Sequence, residues 1–464
     1  GLHRAAYLLY TYPDRLTRGG VLVVGPNTAF LSYVSAVLPA LGEVGVEQLS
    51  VEQLVTGVRV RGTDDPATAT LKGDARLARV LRRAVYARIS RPAYAVAVTV
   101  GTRRFRVQPE QLRHWVDDLR RGELTYGPAR TRLAALIAYD VRRQLEAEGA
   151  TPTDAAVDRI AGLPAVRAAV DQLWPAVNPA RLLLGLFTDA DRLARAAHGI
   201  LEEAEQRRLR WSAPPRTPGA ARWSAADAFL IDEVAGLLER HPSYGHVIVD
   251  EAQDLSPMQC RAIARRSVLG SLTVLGDLAQ GTAPWATTDW PQSLTHLGKD
   301  DARIEPLTRG YRVPGEVIAL ANRLLPTIAP GLPMGESVRP GHDALTVVPV
   351  ESVAVALPGL VRAALRREGT LGIIVADTQA RAVRRALERA GVDHALLGEA
   401  EHRVMAVPAS LAKGLEYDEV IVVEPAQIVA GEPRGLRRLY VVLTRAVSRL
   451  VLLHAEPLPD LLTR

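Results

Sequence analysis

Short apolar runs that stop abruptly at turn residues recur along this chain, separated by stretches with a helical repeat. Val21-Leu22-Val23-Val24 follows Gly19-Gly20 and breaks at Gly25-Pro26-Asn27. A run that is apolar at every position predicts a strand buried on both faces of a parallel sheet. Leu2, Ala5, Ala6, Leu8 and Leu9 predict a helix over 2–12, and residues 28–41 predict another. The rhythm resumes with a helix over 227–240, a strand through Val247-Ile248-Val249, a helix over 257–266 and a strand over 272–275. Beyond Pro306 a second series begins. Strands are expected over 345–350, 372–375, 403–407, 419–423 and 450–454, with helices over 313–325, 352–367, 378–390 and 435–446. Residues 60–215 have a different character. A hairpin is expected from Tyr94 to Val107 around Gly101-Thr102, with amphipathic helices over 111–121, 131–148, 155–173 and 189–208. The pattern predicts an α/β protein of two domains, each a parallel sheet flanked by helices, with a largely α-helical insertion in the first. The expected boundaries are 1–58 and 223–304 for the first domain, 59–222 for the insertion and 305–464 for the second domain.

Composition narrows the class. Hydrophobic residues make up 48% of the 464, enough to exclude general disorder. No apolar run reaches membrane length and no secretory signal opens the chain, so a cytoplasmic protein without a membrane partner is expected. The single cysteine, Cys260, excludes an internal disulfide framework and fits a reducing cytosol. A net charge of +6 mildly favours anionic partners such as DNA or RNA. Arginine carries nearly all of it, since Lys72, Lys299 and Lys413 are the only lysines. A solvated arginine surface from a GC-rich coding sequence accounts for the bias as well as a nucleic-acid face does.

The candidate chemistry lies where strands end. His246-Val247-Ile248-Val249 runs directly into Asp250-Glu251-Ala252-Gln253-Asp254. Carboxylates at the C-terminal edge of a parallel strand sit where α/β folds bind ligands. One can hold Mg²⁺ while its neighbour takes a proton from water, although two such acids can also cap the next helix. Leu275-Gly276-Asp277-Leu278-Ala279-Gln280 repeats the arrangement, and Gln280 can orient a water or read a terminal phosphate. In Leu307-Thr308-Arg309-Gly310-Tyr311-Arg312 a base can stack on Tyr311 while Arg312 reaches a phosphate; a surface arginine before a helix fits as well. Lys413 stands out in Ala412-Lys413-Gly414-Leu415-Glu416-Tyr417-Asp418, though a lone lysine is more often solvated than functional. Arg445 ends the apolar run Leu439–Thr444 and could reach a neighbouring domain's nucleotide.

Taken together, the segments DEAQD, GDLAQ, LTRGYR, AKGLEYDEV and LYVVLTRA resemble the ordered motifs of UvrD-like superfamily-one helicases, across more than 200 residues. The resemblance implies two RecA-like domains that sandwich ATP. It implies Asp250 as the Mg²⁺ ligand, Glu251 as the residue that activates water, and Gln280, Arg312 and Arg445 at the γ-phosphate. Tyr311 would stack on adenine, Glu416 would meet the ribose side, and Lys413 and Gly414 would complete the nucleotide site. Finer features resemble the HelD branch of this superfamily: the opening HRAAYLLY with VLVVGPN, the Leu173-Trp174-Pro175 to Leu184 stretch, and GDLAQGTAPWATTDW in place of the form found in unwinding helicases. That branch implies a partner, bacterial RNA polymerase core, and ATP-linked release of polymerase from nucleic acid, with the insertion as a polymerase-contacting arm and rifamycin protection as a related action. A DNA-repair translocase of the UvrD kind and a polymerase-binding module without ATPase activity are the competing expectations. Trp285 or Trp290 could stack on a nucleic-acid base or serve the core.

One departure matters. No GxxxxGK[ST] occurs among the 464 residues. The lysine and hydroxyl that grip the β- and γ-phosphates are missing from the sequence, and the expectation is a piece of a longer protein that begins just after such a loop.

Overall fold

The computed structural model describes residues 7, 11, 19–26, 46–267, 270–396 and 402–463. The helices expected over 2–12 and 28–41 lie outside them, apart from Tyr7 and Thr11, both helical.

The first sheet is parallel throughout its described strands. It contains β1 (Val21–Gly25), β2 (Val46–Ser50), β5 (His246–Val249) and β6 (Leu272–Val274) in the order β2-β1-β5-β6. β3 (Val96–Val100) and β4 (Arg103–Val107) form the expected antiparallel hairpin inside the insertion. β1 and β5 are buried at every position, which is why both read as unbroken apolar runs. Helix Ala225–Leu238 delivers the chain to β5. A capping box starts it: the Ser224 hydroxyl accepts from the Asp227 amide, and the Asp227 carboxylate accepts from the Ser224 amide.

The insertion shares one continuous core with this sheet. Val24 and Val249 belong to the same apolar cluster as Val98, Leu133, Trp174 and Leu183. Trp174 is fully buried and packs on Tyr126 with ring centroids 5.3 Å apart. Both polar tips are satisfied by backbone carbonyls. The Trp174 indole N–H donates to Tyr126 O at 3.1 Å, and the Tyr126 hydroxyl donates to Pro175 O at 2.7 Å. Two expected helices are corrected. Residues 155–173 form two helices, Asp154–Ala161 and Pro164–Leu173, because Pro164 cannot continue a helix but suits the first turn of a new one. Residues 189–208 also split, into Ala190–Ala197 and Glu203–Leu209, with Gly199 at φ +66° between them.

The second sheet holds six parallel strands in the order β11-β12-β10-β13-β14-β9. After the short pair β7 (Arg309–Gly310) and β8 (Glu336–Ser337) come β9 (Leu345–Pro349), β10 (Leu371–Val375), β11 (Ala395–Leu396), β12 (Val404–Pro408), β13 (Tyr417–Val423) and β14 (Ala446–His454). The two-residue β11 had no sequence signal. Alternate residues feed two separate cores, as the strand period requires. Ile374, Val420, Val422, Leu450 and Leu452 meet helices Gly315–Asn322 and Gly435–Leu443 on one face. Ile373, Val375, Ile421, Val423 and Leu453 meet helices Val353–Ala364 and Ala380–Arg389 on the other. Two parallel sheets flanked by helices are the α/β architecture the sequence pattern implied. No helix among the described residues is long and apolar enough to cross a membrane.

Candidate functional site

The first sheet presents two loops at adjacent strand ends. β5 ends at Val249, and Asp250 N donates to Val24 O at 2.9 Å, holding the acid beside the end of β1. Glu251 follows in the left-handed region at φ +55°, a conformation that costs a non-glycine residue about 1–3 kcal/mol and turns its side chain out of the strand direction. Gln253 is fully buried and ties the two loops together. Its amide N–H₂ donates to Glu251 Oε2 at 2.6 Å, and its carbonyl oxygen accepts from Asp277 N at 3.0 Å. The close approach explains Gly276: a Cβ there would sit 2.4 Å from Gln253 Oε1 and 2.7 Å from the Trp290 ring. Asp277 in turn accepts from the Gln280 side-chain amide at 2.9 Å.

The second domain sends cations into these loops. Lys413 lies between β12 and β13, with Gly414 next to it at φ +79°. Its side chain is only 11% exposed, and Nζ stands 2.5 Å from Asp254 Oδ2, 3.1 Å from Glu251 Oε2 and 3.3 Å from Gln280 O. The lone lysine is therefore not solvated. Arg445, 3% exposed, directs Nη2 to Gln280 Oε1 at 3.0 Å while Nε donates to Val441 O at 2.9 Å. Burial pulls its guanidinium below its ordinary pKa, and the nearby Glu251 carboxylate opposes that shift. Arg312 forms an ion pair with Glu416, both half-exposed, and Tyr311 is 73% exposed. The structure thus gathers Glu251, Gln280, Lys413 and Arg445 into one network. Arg312 with Glu416 forms a second pair, whose charges reach Arg445.

Among the described residues Asp250 takes part in no ion pair. One oxygen accepts from Glu251 N at 2.9 Å, and burial together with the Glu251 charge raises its carboxyl pKa. A half-buried carboxylate at this strand end suits a hard cation, and Mg²⁺ is commonly held by one or two protein carboxylates plus phosphate and water oxygens. No cluster of three or more His, Cys, Asp or Glu side chains able to hold a metal occurs among the described residues, and Asp250 would give such a cation a single carboxylate.

Several residues escaped the sequence reading. Asp254 is central: it binds Lys413 and accepts from Thr282 N at 2.8 Å and Ala283 N at 2.9 Å. It was visible as the last letter of DEAQD, yet only the fold shows its partner. Arg434 donates to the carbonyls of Gly281, Pro284 and Ala286, and Arg437 to Leu278 O, so helix Gly435–Leu443 and the residue before it grip the loop after β6. In an arginine-rich chain nothing marked these two out. Trp285 donates its indole N–H to Asp254 O at 2.8 Å and Trp290 packs on Gly276, so both serve the loop scaffold.

Neither a family profile nor a curated protein matches the chain. Solved structures with similar parts include the C-terminal domain of a possible DNA helicase from Lactobacillus plantarum WCFS1, 25% identical over 33% of this chain and 93% of that one, with a TM-score of 0.27. Another is arterivirus nonstructural protein 10, a helicase in complex with DNA, 18% identical over 49% of this chain and 44% of that one, with a TM-score of 0.29. The chain therefore spans less than half the length of the viral protein it matches. At such TM-scores the likeness is partial, and the site rests on the geometry given above.

Proposed function

We propose that this chain is the motor region of a nucleic-acid-linked ATPase of the HelD-like kind, which binds RNA polymerase and uses ATP to release it from nucleic acid. The observation that carries the motor reading is the set of side chains crossing between the two sheets: Lys413 to Glu251 and Asp254, and Arg445 to Gln280. A nucleotide bound at the ends of β1 and β5 would touch acids of one domain and cations of the other, so its state would alter how the domains meet. Asp250 would hold Mg²⁺, which when bound supplies charge neutralisation at the phosphates. Glu251 would accept a proton from the attacking water, and Gln280 would orient that water. Arg445 and Arg312 would offset charge on the terminal phosphate, with Tyr311 and Glu416 bordering the base and ribose. In the described arrangement the Glu251 carboxylate is held by Lys413 and Gln253. A proton acceptor so paired is weakened, and withdrawal of Lys413 would restore it.

The polymerase assignment rests on the sequence resemblance. Immobilised chain should capture bacterial core polymerase at low salt, with capture compared in the presence and absence of ATP. Failure to capture polymerase, combined with strand displacement on a tailed DNA duplex, would replace this reading with a DNA translocase.

A further inference from the structure

Far from the motor loops, three helices of the insertion line a cavity of about 660 Å³ whose largely apolar wall carries five arginines. Arg83 and Arg88 enter from helix Arg76–Tyr86 and the turn after it, Arg181 from helix Pro179–Thr188, and Arg192 and Arg195 from helix Ala190–Ala197. Six arginines elsewhere in the insertion, Arg103, Arg113, Arg121, Arg130, Arg142 and Arg143, have carboxylate partners. Within the cavity only Arg192 has one, Asp189 at 2.9 Å. Arg83 donates to the carbonyls of Ala196 and His198, which fixes its position and leaves its charge uncompensated. The side chains of Arg88, Arg181 and Arg195 make no hydrogen bond or ion pair with any described residue. Five guanidiniums less Asp189 leave four net positive charges around one concavity.

We propose that this cavity binds a compact polyphosphate anion: tripolyphosphate itself or the phosphate chain of a nucleoside polyphosphate. Like charges converging from three helices repel one another, and a concave low-dielectric wall focuses their field. A bound anion relieves both. The guanidinium fork matches phosphate oxygens in pairs, and four positive charges call for a ligand of about that charge, more than one monophosphate carries. The apolar floor of Val177, Leu182 and Leu186 leaves room for an uncharged body beside the phosphates. A single-stranded nucleic acid fits less well, because no aromatic side chain lines the cavity to stack a base.

The test is calorimetric titration of the full chain with tripolyphosphate, and separately with a nucleoside triphosphate, without Mg²⁺. The double variant Arg181→Ala/Arg195→Ala should weaken tripolyphosphate binding by about tenfold or more, since each loses a charge-assisted contact. Both side chains are exposed and bond to no other described residue, so unchanged circular dichroism is expected. Lys413→Ala, in the motor loops, should leave this binding intact. Tighter binding of the nucleoside form that is lost in the double variant would assign the floor to its base, and equal binding of the two ligands lost in that variant would assign the phosphates alone. Binding unchanged in the double variant, or stronger binding of a single-stranded oligonucleotide lost in that same variant, would overturn it.

Discussion

Lys413→Met removes the one ammonium that bridges Glu251 and Asp254. At 2.5 and 3.1 Å, an effective dielectric near 20 gives about 5–7 kcal/mol of attraction to each carboxylate. Taking an 11%-exposed ammonium out of water costs several kcal/mol per ion, and two acids brought together for one cation repel each other. The net worth of the bridge is then about 1–3 kcal/mol, the usual range for coupled neighbours. Its loss should appear locally. Asp254 accepts the amides of Thr282 and Ala283, and Gln280 O is a third Lys413 partner, so the loop after β6 should open more often. Amide hydrogen exchange at Thr282 and Ala283 should accelerate about 5- to 150-fold, while amides of β10 and β13 keep their rates. Unchanged exchange at these two amides would show that the ammonium contributes nothing net and that the bridge does not hold the domains together.

Three further outcomes follow from the geometry. Burial raises the Asp250 carboxyl pKa, so its folded form holds a proton more tightly than the unfolded chain, and its contribution to stability falls as pH rises through that raised value. Asp250→Asn should therefore raise the melting temperature at neutral pH without Mg²⁺ and give no gain in acid, where Asp250 is already protonated; an equal gain at both pH values would contradict this. Burial pushes the Cys260 thiol up to about 12, so iodoacetamide should label it only after unfolding, as peptide mapping would show. Lys72 is 2% exposed and lies 2.7 Å from both Asp64 and Asp227, so Lys72→Ala leaves buried carboxylates uncompensated and should cost about 3–5 kcal/mol. Tryptophan fluorescence in urea suits that measurement, because all six tryptophans precede residue 305.

Much of the fold was legible because burial on both faces writes itself into a strand. VLVVG, HVIV and YDEVIVV stand where the apolar runs placed them. Helix interiors were legible too, whereas breaks set by one residue, Pro164 and Gly199, were read through as continuous helix. The strand β11 is too short for any period to show.

Asp250, Glu251, Gln280 and Arg445 could be singled out from the sequence, because an acid, amide or cation at the end of an apolar run has a position that local pattern determines, and Lys413 because lysine is rare in this chain. Their partners could not. Lys413 and Asp254 are 159 residues apart, and Gln280 and Arg445 are 165 apart. Such pairings depend on how two sheets meet, and pattern along one segment carries no information about the distance to another. The same holds for the arginine cavity. Composition showed an excess of arginine and left its meaning open. Only the packing of three helices decided which guanidiniums found a carboxylate and which were left to face one another.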